Sequence, residues 1–298
     1  MKSLRPQDVK TAEFHALMLA AIAPRPIAFA STVDATGQVN LSPYSFFNAF
    51  GSNPPILIFS PARRVRDNTT KHTLENLREV PEVVINIVNY AMVEQMSLAS
   101  TEYEKGVNEF TKAGFTALPS QLIKPPRVAE APVAFECKVQ QIIETGQQGG
   151  AGNLVICEIV MAHVQGEVLD ADGRIDQHKI DLVARMGGNW YCRASGDALF
   201  EIPKPLVTKG VGVDALPAHA RLSKVLTGNN LGRLGNVEQL PNTEEVAAYR
   251  QEAVIQNILQ QYPEAEAQQE ALHRLAQQHL EAQRIKEAWL VLLQVAEA

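Results

Sequence analysis

Short apolar runs separated by turn residues dominate the first 200 residues, and they read as strands rather than long helices. Residues 26–33 (PIAFASTV) are apolar and β-prone, with Ser31 and Thr32 at their end. Asp34 to Gly37 supplies turn chemistry, Gly37 being able to take positive φ. Extended structure resumes over residues 38–41, and residues 42–48 (SPYSFFN) read as a loop dense in hydroxyls and aromatics. Residues 54–60 form a buried strand opened by two prolines, residues 61–70 a polar basic loop, and residues 82–88 (EVVINIV) another strand. Residues 133–144 and 154–164 pair as a long hairpin across a glycine-rich turn at 146–152, with Phe135, Cys137, Val139 and Gln141 expected on one side.

Helical signals in this part are brief. Residues 16–23 suit a short helix packed on the first strand. Residues 73–80 suit another, capped by Thr69 or Thr70. Residues 92–100 and 102–113 follow, the latter closed by Gly114 in the left-handed conformation. Six strands with short peripheral helices predict a mainly β fold, a small antiparallel barrel rather than alternating βαβ units.

The pattern changes after about residue 205, which divides the chain into 1–205 and an extension, 206–298. Residues 201–242 are loop-rich, although the patterning of 216–236 suggests that this stretch folds back on the barrel. Asn242 and Glu245 then fit a capping box, and Val246, Tyr249, Ala253, Ile258 and Tyr262 recur at helical spacing. Pro263 breaks that helix, and Leu272, Leu275, His279, Ile285, Trp289 and Leu292 continue the stripe, predicting a helical hairpin that needs a surface to pack on.

Charge and composition narrow the function. The net charge is −6, and residues 243–298 hold nine acidic and four basic residues, so the remainder is near neutral. No basic footprint for nucleic acid is present. No run reaches transmembrane length. Three scattered cysteines imply neither a disulfide framework nor a metal spacing, which suits a reducing cytoplasm, and the seven histidines are dispersed, so no metal is expected. Gly210 to Asp214 lacks the third glycine of a dinucleotide fingerprint.

Three polar sets remain: Ser31, Thr32, Ser45 and Asn48; Ser60, Arg63, Arg64 and Arg66; and Lys71, His72 and Thr73. Gathered at one rim, they would bind a phosphate monoester through charge-assisted hydrogen bonds, with Phe46 and Phe47 beside a flat ring; dispersed, they are a solvated loop and ordinary strand ends.

Several stretches, in order, resemble the flavin reductase-like family of FMN-binding split barrels, which includes flavoredoxins and the reductase components of two-component monooxygenases. They are PRPIAFAST (24–32), NLSPYSFFN (40–48), Ser60 with Lys71-His72-Thr73 and Asn76, EVVINIV (82–88), NEFTKAG (108–114), and ARMGG (184–188) with Tyr191. The resemblance covers the first 200 residues. It implies a six-stranded Greek-key split barrel that dimerises, with FMN near the subunit interface. Ser60, Lys71 and Thr73 would hold the phosphate, helped by Arg66. Ser45, Phe46, Phe47 and Asn48 would line the isoalloxazine, with Ser31 and Thr32 beneath it. His72 stands where the family commonly has aspartate, and would add a phosphate donor.

The implied reaction is NAD(P)H:flavin reduction, with hydride passing from NADH or NADPH to flavin N5 and no general base needed. A non-enzymatic FMN electron carrier fits the same motifs, as does a component of an oxygenase system with an oxygenase or other electron-acceptor protein as partner. His163 is a candidate wall of the nicotinamide or substrate site, or a strand-end histidine with a backbone partner. Arg185, before Gly187-Gly188, is a candidate for the same site or for a dimer salt bridge, its glycines allowing close approach to a ligand or partner subunit.

Overall fold

Strand order shows how the N-terminal part closes on itself. The computed structural model describes residues 1–203 and 209–295. Its contacts divide the chain into two units, Met1–Phe200 and Glu201–Ala298; the expected boundary at residue 205 lies outside the described residues.

The first unit runs α1 (Thr11–Ala21), β1 (Ala28–Val33), β2 (Val39–Tyr44), β3 (Phe47–Ser52), β4 (Pro55–Phe59), α2 (His72–Glu79), β5 (Glu82–Ile87), α3 (Val93–Leu98) and α4 (Glu109–Ala113). Then come β6 (Ala117–Leu118), β7 (Arg127–Val128), β8 (Val133–Glu144), β9 (Asn153–Val164), β10 (Val183–Arg185) and β11 (Tyr191–Arg193). Seven strands form one antiparallel sheet in the order β2-β1-β5-β8-β9-β4-β3. The two edge strands, β2 and β3, are consecutive in the chain. Only Ser45 and Phe46 join them, so the edges lie within about 11 Å of one another and the sheet must curl. The result is the expected antiparallel split barrel, and Ser45 and Phe46 sit at its split.

Six strands were expected and seven are present in that sheet. The extra one is β3, which the sequence pattern reads as loop. It is an edge strand, exposed along most of its length, and so carries no burial-driven alternation. β1 reads as a continuous apolar run because both faces are covered. Ala28 and Ala30 join an inner cluster with Tyr44, Phe59, Ile85, Cys137 and Cys157, while Phe29 joins an outer one with Leu41, Met92, Met96 and Phe115. On β8, Gln141 is exposed and Ile142 packs on the core instead, because a bulge between Val139 and Gln141 shifts the register. Gly114 ends α4 in the left-handed conformation, as expected, at φ 72°. Residues 102–107 are not helical; α4 starts at Glu109, capped by Asn108. Lys71 occupies the N-cap position of α2, so neither Thr69 nor Thr70 caps it.

The second unit is helical: α5 (Ala218–Arg221), α6 (Gly228–Gly235), α7 (Thr243–Tyr249), α8 (Ala253–Gln261), α9 (Ala265–Glu281) and α10 (Ile285–Leu292). The Asn242–Glu245 capping box is present. Where a hairpin was expected, four helices form, and they carry their own core rather than needing an outside surface. Leu216, Ala220, Leu226 and Leu234 join it with Leu272, Leu280 and Trp289, whose Nε1–H donates to Leu234 O at 3.1 Å. Leu216, Ala220, Leu226, Leu231 and Leu234 thus pack within this unit, and Leu222 is left exposed. Gly210 and Gly212 lie against Gly235, whose carbonyl accepts the Gly212 N–H at 2.9 Å; a Cβ on Gly210 would collide with that same oxygen. Close backbone packing, not a dinucleotide turn, accounts for these glycines.

Candidate functional site

β2 and the loop after β4 meet beside the barrel's split. Ser42 and Tyr44 from β2, Arg64 and Lys71 from the loop, His72 from the first turn of α2 and Glu102 from the α3–α4 connection line one small cleft. Three cations converge there on a single carboxylate. Arg64 Nε lies 2.7 Å and Lys71 Nζ 3.0 Å from Glu102 Oε1, and a terminal nitrogen of Arg66 lies 3.4 Å from Oε2. Arg64 and Lys71 hold the Glu102 carboxyl down at about 2, below the ordinary carboxylate range. Asp67 is also depressed, by hydrogen bonds from the Thr69 hydroxyl and backbone and from Arg66.

The loop is held from two sides. Arg64 donates to Thr69 Oγ1 at 2.9 Å and to the Thr70 carbonyl, and its side chain is only 16% exposed. The glycine-rich turn of the β8–β9 hairpin packs directly on this loop. Arg63 N–H donates to Ala151 O at 2.9 Å and Gly150 N–H to Arg63 O at 3.1 Å. A Cβ on Gly149 would come within 3.0 Å of Val65 O and 3.1 Å of Arg64 O. The turn is glycine-rich because backbone runs against backbone there.

The predicted site residues fall into three groups. Ser45, Phe46, Phe47 and Asn48 lie at the split and the start of β3, with Phe46 exposed and edge-on to His15 at 6.1 Å. Ser60, Arg66, Lys71 and His72 belong to the loop and its end; Ser60 Oγ accepts the Asn153 N–H at 3.0 Å, fixing the hydroxyl. Ser31, Thr32 and Thr73 are fully buried. Thr73 Oγ1 accepts from Asn40 Nδ2 and from the Tyr44 hydroxyl, each at 2.8 Å, and Thr32 Oγ1 accepts from Asn76 Nδ2 at 3.2 Å. Thr73 thus braces two residues that line the cleft, Asn40 and Tyr44, and none of the three buried side chains lines it. Ser31 Oγ is buried without a partner among the described residues.

His163 is not brought to this cleft. It lies ten positions beyond Asn153 on β9, about 33 Å of strand away. Its Nε2 meets Glu136 Oε1 at 2.7 Å, so it belongs to a structural pair rather than to a backbone partner. Arg185 makes no salt bridge among the described residues: its guanidinium stacks over Tyr191 at 4.5 Å and donates to Gly188 O at 2.8 Å. The close approach that Gly187 permits is to α1, where a Cβ would lie 2.9 Å from Ala20 Cα.

Sequence reasoning missed Glu102 and Arg25. Glu102 is one of two glutamates in a polar segment (STEYEKG, 100–106) with no spacing to single it out, and only the fold brings it to Lys71. Arg25 is buried, and its guanidinium donates to the carbonyls of Leu19, Ile22 and Met186 and to Ser45 Oγ at 3.4 Å. Burial, then Arg185, lowers its pKa. It ties the end of α1 and the end of β10 to the split. Its position inside Pro24-Arg-Pro26 was the one available signal. Among the described residues no cluster of three or more His, Cys, Asp or Glu is placed to hold a metal, and no helix is long and apolar enough to cross a membrane.

Comparison with known proteins adds an independent line. The sequence model of the flavin reductase like domain matches residues 20–179, more than half of the chain. Nitrilotriacetate monooxygenase component B from Bacillus cereus superposes with a TM-score of 0.63 at 29% identity, covering 68% of this chain and 98% of that one. The 2-nitrobenzoate 2-nitroreductase of Pseudomonas fluorescens gives 0.60 at 28%, covering 70% and 100%. A protein with a split barrel domain from Shewanella frigidimarina gives 0.58 at 28%, covering 68% and 99%. Each is spanned almost whole, while each leaves about a third of this chain uncovered.

Proposed function

The chain belongs to the flavin reductase-like family, and from that premise we propose that its first unit binds FMN at the cleft beside the split and uses it to oxidise NADH or NADPH. The observation that carries this reading is the convergence of Arg64, Arg66 and Lys71 on one carboxylate, because a site that already holds an anion has the donor chemistry for a phosphate monoester. Lys71, Arg66 and Arg64 would hold the phosphate, with His72 lining the same cleft and Ser60, just after β4, helping. Ser45, Phe46, Phe47 and Asn48, at the split, would take the ring. Asn48 Oδ1 is engaged by the Ala49 N–H, which turns its amide N–H₂ into the available donor for a ring oxygen. Thr73 braces Asn40 and Tyr44, which line the cleft, Ser31 and Thr32 would lie beneath the ring, and Arg25 bonds Ser45.

When bound, the flavin supplies the hydride-accepting ring and the redox chemistry, so the residues here need only bind, orient and donate hydrogen bonds. Arg185 is the better candidate than His163 for the nicotinamide side. Its backbone pairs with Arg25, which in turn bonds Ser45 at the split. The same reading takes residues 1–205 as the FMN domain and 206–298 as an extension, in a cytoplasmic homodimer. Large apolar side chains exposed on the first unit, Phe50, Trp190 and Phe200 among them, support a subunit contact. A separate oxygenase or another electron-acceptor protein would receive the electrons.

The test is direct. Purified protein is mixed with FMN and NADH or NADPH and absorbance at the nicotinamide band is followed. Flavin-dependent oxidation is expected. Tight FMN binding with no such oxidation would replace the reductase by an electron carrier, and no binding of FMN would refute both.

A further inference from the structure

The anion that the cations hold belongs to the chain itself. Glu102 comes from residues 99–108, a connection without regular structure, and its side chain is 41% exposed. The cations are better anchored. Arg64 is 16% exposed and forked onto Thr69 and Thr70, and Lys71, at 29%, stands at the head of α2. A preorganised cationic half thus faces an anionic half that can withdraw without disturbing the core. Charge balance points the same way. Arg64, Arg66 and Lys71 against Asp67 and Glu102 leave one net positive charge. With Glu102 withdrawn two remain, which matches a phosphate monoester near its dianion.

Resting on the FMN reading above, we propose that Glu102 is an internal competitor for the phosphate, occupying its cations and being displaced by it, so that this one carboxylate sets how long flavin stays bound. Without Glu102 the cations would hold phosphate more tightly; with it, every binding event must first break three ion pairs. Riboflavin, which carries no phosphate, has no quarrel with Glu102. The residue therefore shifts the balance between a retained cofactor and a flavin that exchanges.

Wild type, Glu102→Gln and Lys71→Gln are titrated with FMN and with riboflavin by flavin fluorescence, and FMN release is timed by stopped flow. The glutamine keeps the size of the side chain and removes its charge. Glu102→Gln is expected to bind FMN about tenfold more tightly, the equivalent of about 1.4 kcal/mol, through slower release, with riboflavin affinity unchanged. Lys71→Gln is expected to weaken FMN and spare riboflavin. If Glu102→Gln leaves FMN binding unchanged or weakens it while Lys71→Gln still weakens it, the phosphate site stands and the competitor role is overturned. If Lys71→Gln leaves FMN affinity as it was, the phosphate reading fails and this inference with it.

Discussion

Replacing Glu136 by glutamine is the sharpest test of how the barrel's outer layer is held. The carboxylate is fully buried on β8 and accepts three hydrogen bonds, each at 2.7 Å: from the backbone N–H groups of Gln121 and Leu122, and from His163 Nε2. It ties the 119–126 connector, which has little regular structure, to the long hairpin. Glutamine preserves the volume but has a single acceptor oxygen. One backbone N–H keeps its partner, and the other is left facing an N–H₂ group. Losing a charge-assisted bond costs about 1.5–3 kcal/mol, and the stranded buried donor about 1–3 kcal/mol more, so the total of roughly 3–5 kcal/mol is a large share of a domain's 5–15 kcal/mol. Burial would raise the Glu136 pKa, but the backbone bonds and His163 outweigh it and the net direction is downward. Its stabilising contribution is therefore complete above the ordinary carboxylate range and is lost as pH falls through the depressed value. Urea unfolding of wild type and Glu136→Gln at neutral pH and in acid reads both effects, the gap between them narrowing in acid. A gap under 1 kcal/mol at neutral pH, or one that widens in acid, would refute the reasoning.

Two further substitutions probe other joints. Gly187→Ala places a methyl 2.9 Å from Ala20 Cα; the overpacking costs about 1–3 kcal/mol and lowers the melting midpoint of the first unit by roughly 3–10 °C, measured by thermal circular dichroism. Trp289→Ala removes the largest buried side chain of the helical unit and leaves the Leu234 carbonyl without its indole donor, at a cost of about 3–5 kcal/mol. Loss of helical signal below the wild-type transition is the expected readout, and an unchanged melting curve would contradict the core described above.

Much of the fold is legible along the chain because burial imposes pattern. The runs at 26–33, 54–60 and 82–88 announce β1, β4 and β5 through apolar continuity, and Gly114 and the Asn242–Glu245 pair announce helix ends through local hydrogen bonding. β3 was missed because an exposed edge strand needs no alternation. Ile142 was missed because a bulge changes which residue faces inward, and periodicity cannot foresee a bulge. The basic loop was legible as a cluster of cations, yet its electrostatics were not. Glu102 acts on Lys71 across 31 positions, a distance at which no spacing rule operates. Thr73 was expected to touch ligand because of its place in a motif; only packing reveals that its hydroxyl serves Tyr44 and Asn40 instead.

The glycine turn at 146–152 has a consequence for anyone who would transplant this cleft. The basic loop does not own its shape: it is moulded on a turn some 80 residues downstream, backbone to backbone, as a casting takes the form of its mould. Grafting residues 61–71 alone onto another barrel would transfer the charges without the curvature. The smallest portable unit is discontinuous, loop and hairpin tip together, and length changes at the tip would reshape the cleft through a segment they never touch in sequence.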